Sequence, residues 1–285
     1  MKLAFVDKKQ FLAKIKKLAK ERNITPQIML QEIVLDDLID RISNSRYKDN
    51  LVLKGGFLIA SLIGTNTRST RDIDTSIIGL PVTEDKMKNV FQEICNIELP
   101  EDIIKLSIVK IDEIREEDRY SGYRIHICAQ IYTTRVDVKI DVSTGDVITE
   151  RAIKYGHKMI LENRTVQIMA YTVETVIAEK LETIVSRADA NTRLKDFYDL
   201  YLFDHQDKTA IRFGVLNKAI QATSEKRETT EQLGTYISVL TDLRASQHLQ
   251  KLWLDYQKPN EYAHGIKFGD TCDAAIDLAR KSGLK

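Results

Sequence analysis

The side-chain period returns from strand-like to helical near residue 171, and that change limits the fold more than any other feature. From about 103 to 171 the runs IIKLSIVKIDEI, YRIHICAQIY, RVDVKIDVS and KMILENRTVQIMAY alternate apolar and polar residues, as half-buried strands do. Asn163-Arg164 marks a turn in the last of them. From Thr172 onward the period is helical, and almost nothing but helix is expected to the C-terminus. Residues 8–22 and 26–45 read as helices. Thr25 caps the second, Pro26 sits in its first turn, and Ile28, Leu30, Ile33, Leu35, Leu38, Ile39 and Ile42 form its apolar face. LVLKG (51–55) reads as a short buried strand, FLIASLIG as a short helix ended by Gly64, RDIDTSIIGL as a strand and TEDKMKNVFQEICNI as an amphipathic helix. The expected layout is a mixed α/β domain over 1–171, N-terminal helices included, followed by a helical domain over 172–285.

Composition removes several function classes. A hydrophobic content of 43% with 30% charged residues is that of a globular chain rather than a disordered one. The formal net charge of +1 supplies no global basic field, so any contact with nucleic acid has to be local. Cys95, Cys128 and Cys272 share no metal-ligand spacing and read as scattered thiols of a reducing compartment. The N-terminal MKLAFVDKKQFLAKIKK turns polar too early for a signal peptide or a membrane span, so a cytoplasmic protein with no membrane partner is expected.

The chemistry centres on LVLKGGFLIASLIGTNTRSTRDIDTSI. A period of two puts Asp72 and Asp74 on one strand face, with Ile73 and Ile77 on the other. Two carboxylates so placed repel unless a cation sits between them, and Mg²⁺ or Mn²⁺ suits oxygen ligands that leave room for substrate phosphates. Phosphoaspartate phosphatase, sugar-nucleotide transferase and nucleotidyltransferase all use such a pair. The polar run Thr67-Arg68-Ser69-Thr70-Arg71 ahead of it argues against the phosphatase, whose nucleophile ends a buried apolar strand. Upstream, Lys54-Gly55-Gly56 stands at a strand-to-helix junction, where bare backbone N–H groups can approach an anion. A two-metal phosphoryl-transfer site needs a third carboxylate from a neighbouring strand. RVDVKIDVSTGD offers Asp137 and Asp141 on one face, with Lys139 between them.

Beyond the period change, Thr172 caps a helix on which Lys180, Thr183 and Arg187 form a polar stripe, and the next helix places Asp196 and Asp199 on one face. Lys180 can neutralise a triphosphate as a point charge while Asp196 pairs with a base or orients a cation. Alternatively these residues form salt bridges between the two helices.

KGGFLIASLIG…RSTRDID, the strand VKIDVSTGD, and EKLETIVSR followed by RLKDFYDLY resemble, in order and spacing over about residues 50–203, the AbiEii/AbiGii family of abortive-infection toxins. The resemblance implies a nucleotidyltransferase fold and a role as the toxin of a bacterial toxin–antitoxin pair in phage defence. Its antitoxin would be a winged-helix regulator encoded nearby. It implies transfer of a nucleoside monophosphate from an NTP to an acceptor hydroxyl, with the tRNA 3′ end as acceptor. Gly55 and Gly56 fill the motif glycines, where family members often carry Gly-Ser or Gly-Thr. Asp72 and Asp74 fill the metal motif, Lys180 the motif lysine, and Asp196 and Asp199 the final motif. Asp141 is preferred over Asp137 as the third metal ligand, with Lys54 and Arg71 joining the NTP contacts. Two rivals stay open: a transferase of the same fold that modifies protein hydroxyls, and a nucleotide-binding module without turnover.

Overall fold

The computed structural model describes residues 5, 7–64, 72–100, 102–116, 120–206 and 210–284. It divides into two compact units, residues 1–146 with 153–170, and residues 147–152 with 171–285. The first contains helices α1 (Lys8–Glu21), α2 (Pro26–Asn44), α3 (Gly55–Ile63) and α4 (Glu84–Cys95). Its strands are β1 (Leu51–Lys54), β2 (Asp72–Ile77), β3 (Ile104–Glu116), β4 (Tyr120–Ile131), β5 (Thr134–Ser143), β6 (Ile153–Lys158) and β7 (Thr165–Ala170). They form one mixed sheet in the order β3-β4-β5-β2-β1-β7-β6. The β2–β5 and β1–β7 pairs are parallel, and the other neighbours are antiparallel.

Alternation along the long hairpin sorts its side chains as the sequence predicts. Ile125, Ile127 and Ala129 of β4 and Val136, Val138, Ile140 and Val142 of β5 are buried. Arg124, His126, Lys139 and Asp141 occupy the opposite, more accessible face. Helix α2 packs against β5 and β7, and α4 against β3 and β4. Thr25 and Thr83 cap these helices through hydrogen bonds from Ile28 N and Lys86 N, each at 3.3 Å. Gly64 ends α3 with φ of 115°, a backbone state that favours glycine.

Two elements differ from expectation. The strand expected to begin at Lys158 lies earlier, as β6, and the apolar Met159-Ile160-Leu161 belongs to the turn that leads to β7. IKYGHK carries little apolar signal because β6 is an edge strand with mostly exposed side chains, of which His157 is the buried one. Helix α2 is not one-sided: Glu32, Asp36, Asp37, Asp40 and Arg41 are buried with its apolar residues. Each buried charge has a partner, as desolvation demands. Arg41 binds Asp37 at 2.8 Å and also reaches Asp102, and Asp40 receives Arg164. Asp36 accepts from His157 Nε2 at 2.7 Å and from Ile160 N–H at 2.6 Å, and His157 Nδ1 lies 2.7 Å from Ser61 Oγ. This chain of polar contacts ties α2, α3 and β6 together. Burial pushes the Glu32 carboxyl up to about 7, against the opposing pull of Arg22.

The second unit holds helices α5 (Val173–Arg187), α6 (Leu194–Asp204), α7 (Phe213–Lys226), α8 (Tyr236–Ala245), α9 (Gln247–Gln257) and α10 (Phe268–Lys281). Thr172 caps α5, accepting from Thr175 N–H at 3.2 Å. Leu181, Ile184, Phe197, Leu200, Leu216, Ile220, Trp253 and Leu278 form much of its core. Trp253 Nε1 donates to the Ile266 carbonyl at 2.8 Å, so the largest core side chain is also satisfied. The segment 147–152 joins this unit through Thr149 N–H, which donates to Thr175 Oγ1 at 3.1 Å. Among the described residues no helix is long and apolar enough to cross a membrane.

Candidate functional site

Strand pairing assembles the charged residues of the first unit into one row. Lys54 of β1 stands opposite Asp74 of β2, Asp74 opposite Asp141 of β5, and Asp141 opposite Arg124 of β4. Directly paired residues point to the same side of a sheet, so the row runs Lys54, Asp74, Asp141, Arg124 across four strands. Asp72 lies two residues before Asp74 on the same face, opposite Lys139. Asp137 lies two residues before Lys139 on β5, beyond the row, with an exposed side chain bonded to Arg135 at 3.0 Å. The register therefore places Asp141, rather than Asp137, beside the Asp72–Asp74 pair.

Gly55 has a specific steric reason to be glycine. Its φ of +64° strains any L side chain, and a Cβ built there would fall 2.0 Å from Asp74 Oδ2. The Gly56 N–H points at the same oxygen, 3.4 Å away. The first turn of a helix leaves its N–H groups without intrahelical partners and favours negative charge there. The sequence reading expected phosphate at this junction; in the structure the anion against it is the Asp74 carboxylate.

Arg124 was not singled out in the sequence, and it completes the row. Its Nε and Nη2 donate to the two Asp141 oxygens at 2.8 and 2.6 Å, a bidentate pair. Hydrogen bonding to Asp141 raises the Arg124 pKa above its ordinary value, and the charges of Asp141, Asp72 and Asp74 add to that. Arg124 thus acts as counter-charge to all three carboxylates. YRIHICAQIY shows only that Arg124 faces away from the core; its partner is set by the β4–β5 register. Asp146 was likewise passed over. It binds Lys54 Nζ at 2.7 Å and accepts from Ser143 Oγ at 3.2 Å. Arg68 and Arg71 lie outside the described residues.

The donor set fits magnesium in kind, since Asp72, Asp74 and Asp141 offer only carboxylate oxygens. Asp141 is turned to Arg124, however, and among the described residues no group of three His, Cys, Asp or Glu side chains is gathered as a metal site. Asp72 and Asp74 share a strand face, and Asp141 is held by an arginine.

In the helical unit, Lys180 Nζ lies 2.6 Å from Asp196 Oδ1 and 2.7 Å from Asp199 Oδ2, and Arg193 Nε lies 3.0 Å from Asp196 Oδ2. The side chains are 12% exposed for Lys180, 2% for Asp196 and 0% for Asp199. Burial acts to raise the Asp196 pKa, but the charges of Lys180 and Arg193 prevail and hold it below the usual carboxylate value. The bridges between the two helices that the sequence allowed are therefore present. The expected polar stripe is not an open surface: Thr183 is buried and accepts from Arg227 at 2.8 Å.

Two solved structures from Helicobacter pylori resemble the chain. One, described as a suspected nucleotidyltransferase, is 12% identical with a TM-score of 0.47, over 90% of this chain and 95% of that one. The other, JHP933, is 13% identical with a TM-score of 0.47, over 90% and 91%. Likenesses of that size carry no inference about activity. No curated protein matches the chain. The model of the AbiEii family, described as nucleotidyl transferase AbiEii toxin of a type IV toxin–antitoxin system, matches residues 37–275. That span includes the carboxylate row, the Gly55 junction and the Lys180 cluster, and the chain accordingly belongs to the AbiEii nucleotidyl transferase toxin family.

Proposed function

We propose that this toxin is a metal-dependent transferase that moves a nucleoside monophosphate from an NTP to the 3′-terminal hydroxyl of a tRNA. The acceptor hydroxyl releases its proton to solvent as its oxygen bonds to the α-phosphorus, the bond from that phosphorus to the α–β bridging oxygen breaks, and pyrophosphate leaves with the electron pair. The observation that carries this reading is the register that puts Asp72, Asp74 and Asp141 side by side on β2 and β5. Those three carboxylates would hold Mg²⁺, which when bound supplies Lewis acidity to the phosphates. Gly55 keeps the backbone clear of Asp74, whose carboxylate the Gly56 N–H faces, and the start of α3 favours further anionic groups such as triphosphate oxygens. Arg124 holds Asp141 in place through its bidentate pair. In the helical unit, Lys180 with Asp196 and Asp199 is the further candidate for nucleotide contact. The antitoxin that the family implies would be a DNA-binding regulator encoded beside the toxin.

The test is incubation with each α-labelled NTP, Mg²⁺ and either total RNA or total protein. Label in small RNA, absent with Asp74→Asn, supports the reading. Label confined to protein replaces the RNA acceptor with a protein hydroxyl, and none in either fraction removes the transfer reading altogether.

A further inference from the structure

The near-neutral charge of the chain conceals one concentrated exception. Residues 8–22 hold seven of the 43 Lys and Arg residues and one of the 42 Asp and Glu, so this segment is +6 and the other 270 residues together are −5. The helix it forms, α1, is divided by side. Phe11, Ile15 and Ala19, at i, i+4 and i+8, are buried, and α1 packs on α2. Lys9, Lys16, Lys17 and Lys20, at i, i+7, i+8 and i+11, lie on the other side and are exposed. Lys17 approaches Glu21 at 3.8 Å, whereas among the described residues Lys9, Lys16 and Lys20 have no carboxylate within ion-pair distance. Lys16 and Lys20 are like-charged i,i+4 neighbours, an arrangement that destabilises a helix unless something anionic shares them. The row spans about 16 Å of helix axis.

The position of α1 adds a second constraint. Its first turn is fastened to the β4–β5 connection, where Lys8 Nζ donates to Thr133 Oγ1 and the rings of Phe11 and Tyr132 meet at 6.2 Å between centroids. Eight residues of nearly continuous strand separate Thr133 from Asp141, about 26 Å at the usual rise. A free nucleotide cannot reach across that distance; a nucleic-acid helix can. Because the apolar side of α1 is already buried, the helix has nothing to insert into a bilayer. The residues matched by the family model begin at 37, so α1 lies outside it.

We infer that Lys9, Lys16 and Lys20 form a grip for the phosphate backbone of an RNA acceptor, well removed from the carboxylates at which its end would react. The inference rests on the reading of RNA as acceptor, and its test separates the two. Labelled tRNA is titrated by fluorescence anisotropy against the full chain carrying Asp74→Asn, with and without Lys9→Gln, Lys16→Gln and Lys20→Gln, at 50 and 200 mM salt. The triple substitution is expected to lower affinity on the order of 100-fold at 50 mM and a few-fold at 200 mM. It should reduce the slope of log K against log salt by about 2.1 to 2.7, making its loss between the two salts about 20- to 40-fold smaller. Nucleotide affinity should not move, and thermal melting should hold or rise slightly as the Lys16–Lys20 repulsion is relieved. Equal tRNA affinity and slope for both proteins overturns the grip; RNA labelling by the wild type would still leave the acceptor reading standing. Absence of tRNA binding by either protein also overturns it, and labelling of protein alone would then remove the RNA acceptor as well. Vesicles containing anionic phosphatidylserine serve as the second probe. Lysine-dependent vesicle binding with unchanged tRNA binding overturns the grip in favour of a membrane surface.

Discussion

Gly55→Ala tests the junction on which the site is built. The native φ of +64° costs an L residue about 1–2 kcal/mol. The new Cβ would stand 2.0 Å from Asp74 Oδ2, 2.6 Å from its Cγ and 2.7 Å from its Cβ, where ordinary contact starts at 3.4 Å. Relief requires a displacement of more than 1 Å, and all three nearest atoms belong to Asp74. If Asp74 rotates away, the stability loss stays near the backbone strain, and the carboxylate leaves its place in the row. If the backbone yields instead, overpacking adds about 1–3 kcal/mol, for a total of roughly 2–5 kcal/mol. Either way a displacement of this size at a reacting centre costs on the order of 100-fold in rate. Denaturant unfolding and nucleotide-transfer rate, measured on the same preparations, read both effects. Gly214→Ala is the control, because a Cβ there meets nothing within 4 Å and the site lies in α7. It should be neutral or slightly stabilising. A Gly55→Ala protein with wild-type stability and wild-type transfer would refute the steric reasoning.

Three further outcomes follow from other contacts. Arg124→Gln removes the counter-charge beside Asp141, and because Arg124 is partly exposed metal-free stability should fall by only about 0–1 kcal/mol while Mn²⁺ binds more tightly by calorimetry; weaker Mn²⁺ binding would mean that Arg124 does not compete for Asp141. Lys180→Ala removes the cation shared by two buried carboxylates and should cost about 3–5 kcal/mol in urea unfolding, against 0–1 for a surface pair. Glu32 has a folded pKa of about 7, raised above its unfolded value, so its contribution to stability is full below about pH 4.5 and declines as pH rises through 7. Glu32→Gln should flatten that decline, and unfolding curves from pH 4.5 to 8 that stay parallel for the two proteins would contradict the shift.

The parts of this fold legible in the sequence are those decided by neighbours along the chain. Thr25 and Thr172 cap helices through contacts within three residues, and the period of two puts Asp72 and Asp74 on one face without any partner strand. Tertiary pairing was not legible. Arg124 meets Asp141 across 17 residues and Lys54 meets Asp146 across 92, and nothing local selects those partners. The burial of Asp36, Asp40 and Arg41 on α2 leaves no local sign because partners of theirs, His157, Arg164 and Asp102, come from distant segments. Strand β6 was misplaced because an edge strand with one buried side chain has almost no periodic signal. The glycine pair is legible in the sequence, but the close approach of Asp74 to Gly55 and Gly56 is not, because it depends on the β1–β2 register.

The most direct measurement is a comparison of two labels in one reaction. Wild-type protein is incubated with tRNA, Mg²⁺ and NTP labelled at either the α- or the γ-phosphorus, beside Asp74→Asn. Nucleotidyl transfer at the carboxylate row predicts that α-label enters RNA, γ-label appears only in released pyrophosphate, and Asp74→Asn transfers neither. Entry of γ-label into an acceptor, or α-labelling that survives Asp74→Asn, would contradict the account.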